Sequence, residues 1–277
     1  MEQRLGTLRY IDQMTPADGF YKMRAATMAA AHEGLFAEYR SSEALARLDR
    51  HELESLYLAT YTAAFYTIDQ KHIRYMAMIL DELHARKAAS KEQDMHMYEM
   101  FVEARLLAEA QEFVRRHPLS ELKVVPAWHE APNLITDQPT ELMIDANTHD
   151  LLRRQVDVRR PAQVVVVASP MCHFSQDAMQ ALQADPELSQ VFDRNTVWLA
   201  PQETALDLDI FQQWNRDHPG KQATWVFRRE EWPMIDYWGT PTFYFLQNGA
   251  VSAKVTGWPK EGQRAELRSA LQQIGLL

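Results

Sequence analysis

Val164-Val165-Val166-Val167 is the stretch that most restricts what this chain can become, because it runs directly into Ala168-Ser169-Pro170-Met171-Cys172-His173-Phe174-Ser175. Four successive β-branched residues suit a strand covered on both faces, since such side chains fit a packed, pleated surface. After Pro170 the apolar spacing changes. Phe174, Ala178, Ala181 and Leu182 lie three, four or seven apart, which predicts a helix. A tight turn between strand and helix delivers Cys172, the single cysteine of the chain, to the first helical residues. There a thiolate meets unpaired backbone N–H groups and the positive end of the macrodipole, the setting that lowers a thiol pKa.

Further along stands Trp238-Gly239-Thr240-Pro241-Thr242-Phe243-Tyr244-Phe245-Leu246-Gln247, ended by the hairpin signal Asn248-Gly249. Lys254-Val255-Thr256-Gly257-Trp258 follows as a last strand with a glycine exit. Strand, C-x-x-S, helix and then this second segment resemble the thioredoxin fold, over roughly residues 140–277 and most closely the exported thioredoxin-like proteins of the TlpA and ResA type. The resemblance implies an α/β C-terminal domain, a central mixed sheet flanked by helices. It further implies that the Thr240-Pro241 bond is cis and faces Cys172, with the backbone of Thr240 pairing with a bound chain like an added strand. Trp238 joins Thr240 and Pro241 as a candidate for contact with that chain. The plainer reading of Pro241 is a trans proline at the start of a strand.

A length of 277 residues favours two domains. The first half reads as all-α. Thr15-Pro16-Ala17-Asp18 is a helix start, with a hydroxyl at the N-cap and proline at the first helical position. That helix is expected to reach about Tyr39, with Met23, Ala26, Ala30 and Phe36 inward, after a mixed entry segment over 1–14. Asp49 caps a second helix over 50–67, and a third covers 69–87. Ser90-Lys91-Glu92-Gln93 is a capping box for a fourth that runs to Arg116, before His117-Pro118. Short polar turns between such helices imply antiparallel hairpins. A tetratricopeptide-type array is faintly suggested by Phe113 and Pro118, but no clean repeat is present, so a plain bundle is the expectation. The division is therefore a helical domain over 1–118, a proline-broken linker over 119–139, and the α/β domain over 140–277. In that last part strands are expected at 141–145, 164–167, 196–200 and 223–227. A helix at 207–217 would turn Ile210, Phe211 and Trp214 inward, and a final helix covers 261–274.

The formal net charge of −9 and the lack of any basic stripe argue against a nucleic-acid partner. No apolar run reaches the ~20 residues of a membrane helix. Met1-Glu2-Gln3-Arg4 does not begin a signal peptide, and a mature exported protein would look the same. The resemblance favours an exported, periplasmic setting over a cytoplasmic one.

At Cys172 the chemistry is defined by what accompanies it. His173 can add positive charge when protonated, and Ser175 occupies the place of the second, resolving cysteine of a dithiol relative. A hydroxyl there can hydrogen-bond the sulfur but cannot expel a mixed disulfide, the intermediate of thiol–disulfide exchange. Dithiol relatives also carry a buried acid six residues before the first cysteine, where this chain has Val166. Cys172, Ser175 and His173 are thus candidates for a monothiol site without a self-contained dithiol cycle. A Ser175 introduced to trap an intermediate is the other explanation, made less attractive by Val166. The C-x-F-S pattern is similar to monothiol glutaredoxins, which would imply glutathione or an iron–sulfur cluster, and to the retention member of the disulfide isomerase family. The basic glutathione-binding residues of the former are not evident, so no cofactor is expected.

Two functions follow. One is thiol–disulfide exchange, isomerase-like activity or chaperone-like client capture through a mixed disulfide, with a protein client or thiol partner. The other is a redox-inactive scaffold that binds proteins through its helical half, with Cys172 a small buried residue. A lone thiol also leaves a disulfide-linked homodimer open. Trp232, Tyr237, Trp238, Phe243, Tyr244 and Phe245 surround the proline, most of them expected in the core. Met95, His96, Met97, Met100, Met76 and Met78 suit soft-metal binding less well than core filling, so no metal site is expected.

Overall fold

Four helix starts in the first half of the chain sit on side chains that replace missing backbone partners. The computed structural model describes residues 1–15, 21–118, 125–145, 148, 150–203 and 205–277, and the chain divides into two compact units, Met1–Val125 and Pro126–Leu277. In the first unit the described regular structure is helical: α1 Glu2–Met14, α2 Tyr21–Phe36, α3 Ser42–Arg47, α4 Arg50–Thr67, α5 Gln70–Ala85, α6 Lys91–Glu103 and α7 Leu107–Arg116. Asp49 and Glu52 form a reciprocal capping box for α4, as Ser90 and Gln93 do for α6. Asp69 caps α5 through the Lys71 N–H.

Three expectations need correction. Residues 2–14 are helical, with Leu5 and Leu8 buried, and Thr15 closes that helix; Pro16–Asp18 lie outside the described residues. On α2 the buried stripe is Met28, His32 and Phe36, while Met23, Ala26 and Ala30 are exposed. Small alanines fit either side of a helix, so the bulkier residues set its phase. The fourth helix is broken in two at Ala104-Arg105-Leu106. Arg105 adopts φ 57°, its N–H bonds Val102 O at 3.0 Å, and the Leu106 N–H bonds Phe101 O at 2.8 Å. This is a Schellman closure made without glycine, which removes the usual sequence signal. Met76, Met97 and Met100 lie in the core of this unit.

The second unit is built on a mixed eight-stranded sheet flanked by helices, in the order β1-β3-β2-β6-β5-β4-β7-β8. The strands are β1 Trp128–Glu130, β2 Thr140–Ile144, β3 Leu151–Gln155, β4 Gln163–Val167, β5 Thr196–Ala200, β6 Ala223–Val226, β7 Thr242–Gln247 and β8 Ala250–Thr256. The helices are α8 His173–Gln183, α9 Pro186–Asn195, α10 Leu208–Asp217 and α11 Arg264–Gln273. The valine strand β4 is interior, parallel to β5 and antiparallel to β7, and all five of its residues are buried. Val165 and Val167 pack with Leu199, Val226, Trp232, Ile235, Tyr244 and Leu246, and alternation turns Val164 and Val166 to the other face. The β7–β8 hairpin closes on Asn248 and Gly249, both at positive φ. Trp128–Glu130, within the stretch expected as linker, forms an edge strand parallel to β3. Ile210 of α10 points outward while Phe211 and Trp214 are buried. No helix among the described residues is long and apolar enough to cross a membrane.

His32 is a costly polar group to bury in the first unit. It is fully buried. Thr60 donates its hydroxyl proton to Leu56 O and so accepts from His32 Nε2 at 3.0 Å, which leaves Nδ1 without a partner among the described residues. Burial first, then His72 from α5 and Arg40, push the imidazole down to about 3; Tyr75 of α5 and Phe36 complete its ring contacts. A histidine held neutral contributes fully above its unfolded pKa of about 6.5 and loses that contribution as pH falls towards about 3. Unfolding of the first unit should therefore lose about 2 kcal/mol between pH 7 and pH 5 from this residue. Calorimetry of the full chain should show the loss, and His32→Phe should flatten it; an equally steep profile in the variant would refute the assignment.

Candidate functional site

The strand β4 ends in a turn whose backbone is organised by one serine. Ser169 accepts the Cys172 N–H at its carbonyl, 3.0 Å, and the Met171 N–H at its hydroxyl, 3.3 Å, a local bonding pattern that serine favours in turns. Gln176 ties the helix back to the turn by donating to Pro170 O at 2.7 Å. Cys172 thereby becomes the N-cap of α8, extended at φ −89° and ψ 116°, and it remains partly exposed. Its sulfur stands at the open end of the helix, where the first N–H groups lack intrahelical acceptors.

From the other side comes the loop before β7. Thr240–Pro241 is a cis peptide, and the Cys172 thiol donates to Thr240 O at 3.6 Å. Thr242 Oγ1 donates to Gly239 O at 2.7 Å, and the Gly257 N–H donates to Pro241 O at 2.8 Å. Pro241 is buried and Thr240 partly exposed. Ser175 is wholly buried, one turn into α8, and its hydroxyl accepts the Ser169 N–H at 3.4 Å.

Burial is the largest influence on the Cys172 thiol and pushes its pKa up. It is outweighed by hydrogen bonding from the Thr240 side chain, from the N–H and hydroxyl of Ser175 and from the Phe174 N–H, so the thiol lies below its ordinary value. These groups are dipoles, so the anion is held by oriented N–H and O–H bonds. His173, expected to tune the cysteine, is exposed with its ring against Phe174, 3.8 Å between centroids. Trp238 is half-buried, packed on the Val165–Tyr244 cluster with the Arg229 guanidinium 5.9 Å over its ring. Cys172, Ser175 and Thr240 are thus gathered at the sulfur, and Pro241 stands beside them in the chain.

Two features escaped the sequence reading. Ser169 was legible only as part of a Ser-Pro turn, and the Phe174 N–H carries no side-chain signal. Val166 is fully buried in register with Trp198 and Phe243. Of the aromatics near the proline, Trp232, Phe243, Tyr244 and Phe245 are core residues, whereas Tyr237 is 47% exposed. Its ring occupies the space that a Cβ at Gly239 would need. Met171 and Phe174, at 48% and 46% exposure, flank the cysteine itself.

No family model matches the chain, and no curated protein matches it. Among solved structures, a thioredoxin-like protein from Bacteroides caccae aligns with it over 98% of this chain and 92% of that one, at 14% identity and a TM-score of 0.33. A likeness at that score carries no argument, and the reading of the site stands on its own geometry.

Ser175→Ala removes one hydroxyl that favours the thiolate and leaves the Ser169 N–H unpaired. Alkylation of Cys172 at pH 7 should slow by about two- to fivefold, the effect of a modest rise in thiol pKa. An unchanged rate-against-pH profile would remove Ser175 from the site.

Proposed function

We propose that the second unit is a thioredoxin-like domain and that Cys172 is a reactive monothiol that captures partner proteins or thiols through mixed disulfides. The single observation that carries the reading is a partly exposed sulfur whose anion is favoured by Thr240, Ser175 and the helix N–H groups over the opposing cost of burial. The thiolate attacks one sulfur of a partner's disulfide. A new S–S bond forms, the old one breaks, and the departing sulfur leaves with the electron pair and is protonated by water. No other cysteine exists in the chain, so the mixed disulfide persists until an external thiol, from the partner or from a small thiol, attacks it. Ser175 holds the thiolate, and His173 raises the local positive charge when protonated. Thr240, Pro241 and Trp238 line the approach of the partner chain, with the exposed Met171, Phe174 and Tyr237 as its apolar rim. Mixed disulfides of this lifetime suit an exported, oxidising compartment.

A redox-silent scaffold is the second reading. It is favoured by burial being the strongest single influence on the thiol, in the direction of the neutral form. Alkylation rate against pH separates the two. The monothiol reading expects a midpoint below the free-thiol reference of about 8.5, and a midpoint at or above it would leave only the scaffold.

A second measurement concerns the partner position in the helix. Ser175→Cys should create an internal disulfide and confer turnover with an aromatic disulfide reagent and a reducing thiol. With the disulfide reagent alone, the wild type should instead stop at a stable mixed disulfide that Cys172→Ser abolishes. Failure of the Ser175→Cys protein to oxidise internally, or a wild-type product consisting of homodimer alone, would count against capture.

A further inference from the structure

The loop that brings Thr240 to the sulfur is anchored upstream by a buried side chain that no feature of the motif announces. Tyr244 of β7 is 1% exposed, and its Cα pairs with Val165 of β4 on one side and Lys254 of β8 on the other. Its hydroxyl accepts the Tyr237 N–H at 2.9 Å. The hydroxyl proton is shared between Tyr237 O and Asp236 Oδ1, each at 2.8 Å. Lys254 Nζ reaches both oxygens of that carboxylate, at 3.0 and 2.9 Å.

The segment from Asp236 to Pro241 is therefore tied at three places: Tyr244 at Asp236 and Tyr237, Thr242 at Gly239, and Gly257 at Pro241. Two of these ties, the Tyr244 and Thr242 hydroxyls, come from side chains whose roots lie in register with the valine strand, opposite Val165 and Val167, and Tyr244 holds the segment farthest upstream. The same strand ends in the Cys172 turn. Both walls of the site are thus referred to one stretch of sheet.

We propose that Tyr244, through Asp236 and Lys254, is a positioning residue that fixes the 236–240 segment so that Thr240 rests against the Cys172 sulfur. The proposal depends on the reading of Cys172 as a reactive thiolate. Its electrostatics are consistent across neutral pH. Lys254, with a smaller contribution from Tyr244, holds the Asp236 carboxyl below its usual range against the cost of burial. Burial and then Asp236 push the Tyr244 hydroxyl up. Donor and acceptor accordingly keep the protonation states that the hydrogen bond needs. Asp236 and Lys254 are the charged groups that meet Tyr244, and Val165 packs from β4. The groups that act most on the sulfur, Thr240, Ser175 and Phe174, are uncharged, and His173 is its titratable neighbour in the chain.

Iodoacetamide alkylation of full-length wild type, Tyr244→Phe and Asp236→Ala, followed across pH 5 to 10, tests this. Tyr244→Phe should raise the midpoint by about half a unit and cut the thiolate fraction at pH 7 about threefold, with the far-ultraviolet dichroism unchanged. Asp236→Ala decides by sign, and it carries the test alone if Tyr244→Phe does not fold, since Asp236 is exposed. Losing a nearby negative charge by itself lowers a thiol pKa, and so does losing the thiol's own bond to Thr240 O, whereas withdrawing the Thr240 side chain, whose hydrogen bond favours the anion, raises it. An upward shift supports positioning; an unchanged or downward one overturns it. A wild-type midpoint at or above about 8.5 overturns the reading of Cys172 and the proposal with it. A low wild-type midpoint that neither variant moves overturns the positioning role alone.

Discussion

Burial of β4 on both faces is the constraint that the second unit depends on. Gln163–Val167 has strands on either side, β5 parallel and β7 antiparallel, and none of its residues is left to solvent. A strand so placed cannot slip by one residue without exchanging its two apolar faces. Since every residue is covered, the point at which the chain leaves the sheet is fixed as well. Cys172 inherits its position from that exit. Register with β7 fixes the other wall, because the residue next to Thr242 is Pro241.

Electrostatically the site is made of dipoles. A sulfur at a helix N-cap meets N–H groups that have no other acceptor, and the Thr240 and Ser175 side chains add two more oriented bonds. Such groups are cheap to bury when satisfied, whereas a buried ion pair has to overcome a large desolvation cost. This agrees with the valine at 166: nothing in the sheet beneath needs a charge for the cysteine to ionise. On the proposed reading, a chain with one cysteine would hold a partner rather than cycle.

The first unit depends on different physics. Helices α3 to α6 start on side-chain caps, and three of the described helices end in left-handed residues that are not glycine, Ile68, Lys87 and Arg105. Two of the caps were legible because Asp49 and Ser90 replace missing backbone acceptors with specific side chains. The break at Arg105 was not, because a Schellman closure is written in the backbone and a long charged side chain tolerates it at some cost. Likewise the phase of α2 could not be read from its run of alanines.

Local order decided a great deal on its own. Four valines, a proline turn and the shift to helical periodicity place the cysteine at the start of a helix, and Asn248-Gly249 requires a hairpin whatever surrounds it, because both residues accept positive φ at low cost. Tertiary structure alone decided which groups meet the sulfur. Thr240 arrives from a distant part of the chain, its reach to Cys172 set by strand register, and Tyr244 acts from inside the sheet, where a sequence reading records only one more core aromatic. Side-chain identity and spacing report the local energies of turns, caps and alternation, whereas the partners of a buried hydroxyl or thiol depend on how strands far apart in sequence are paired.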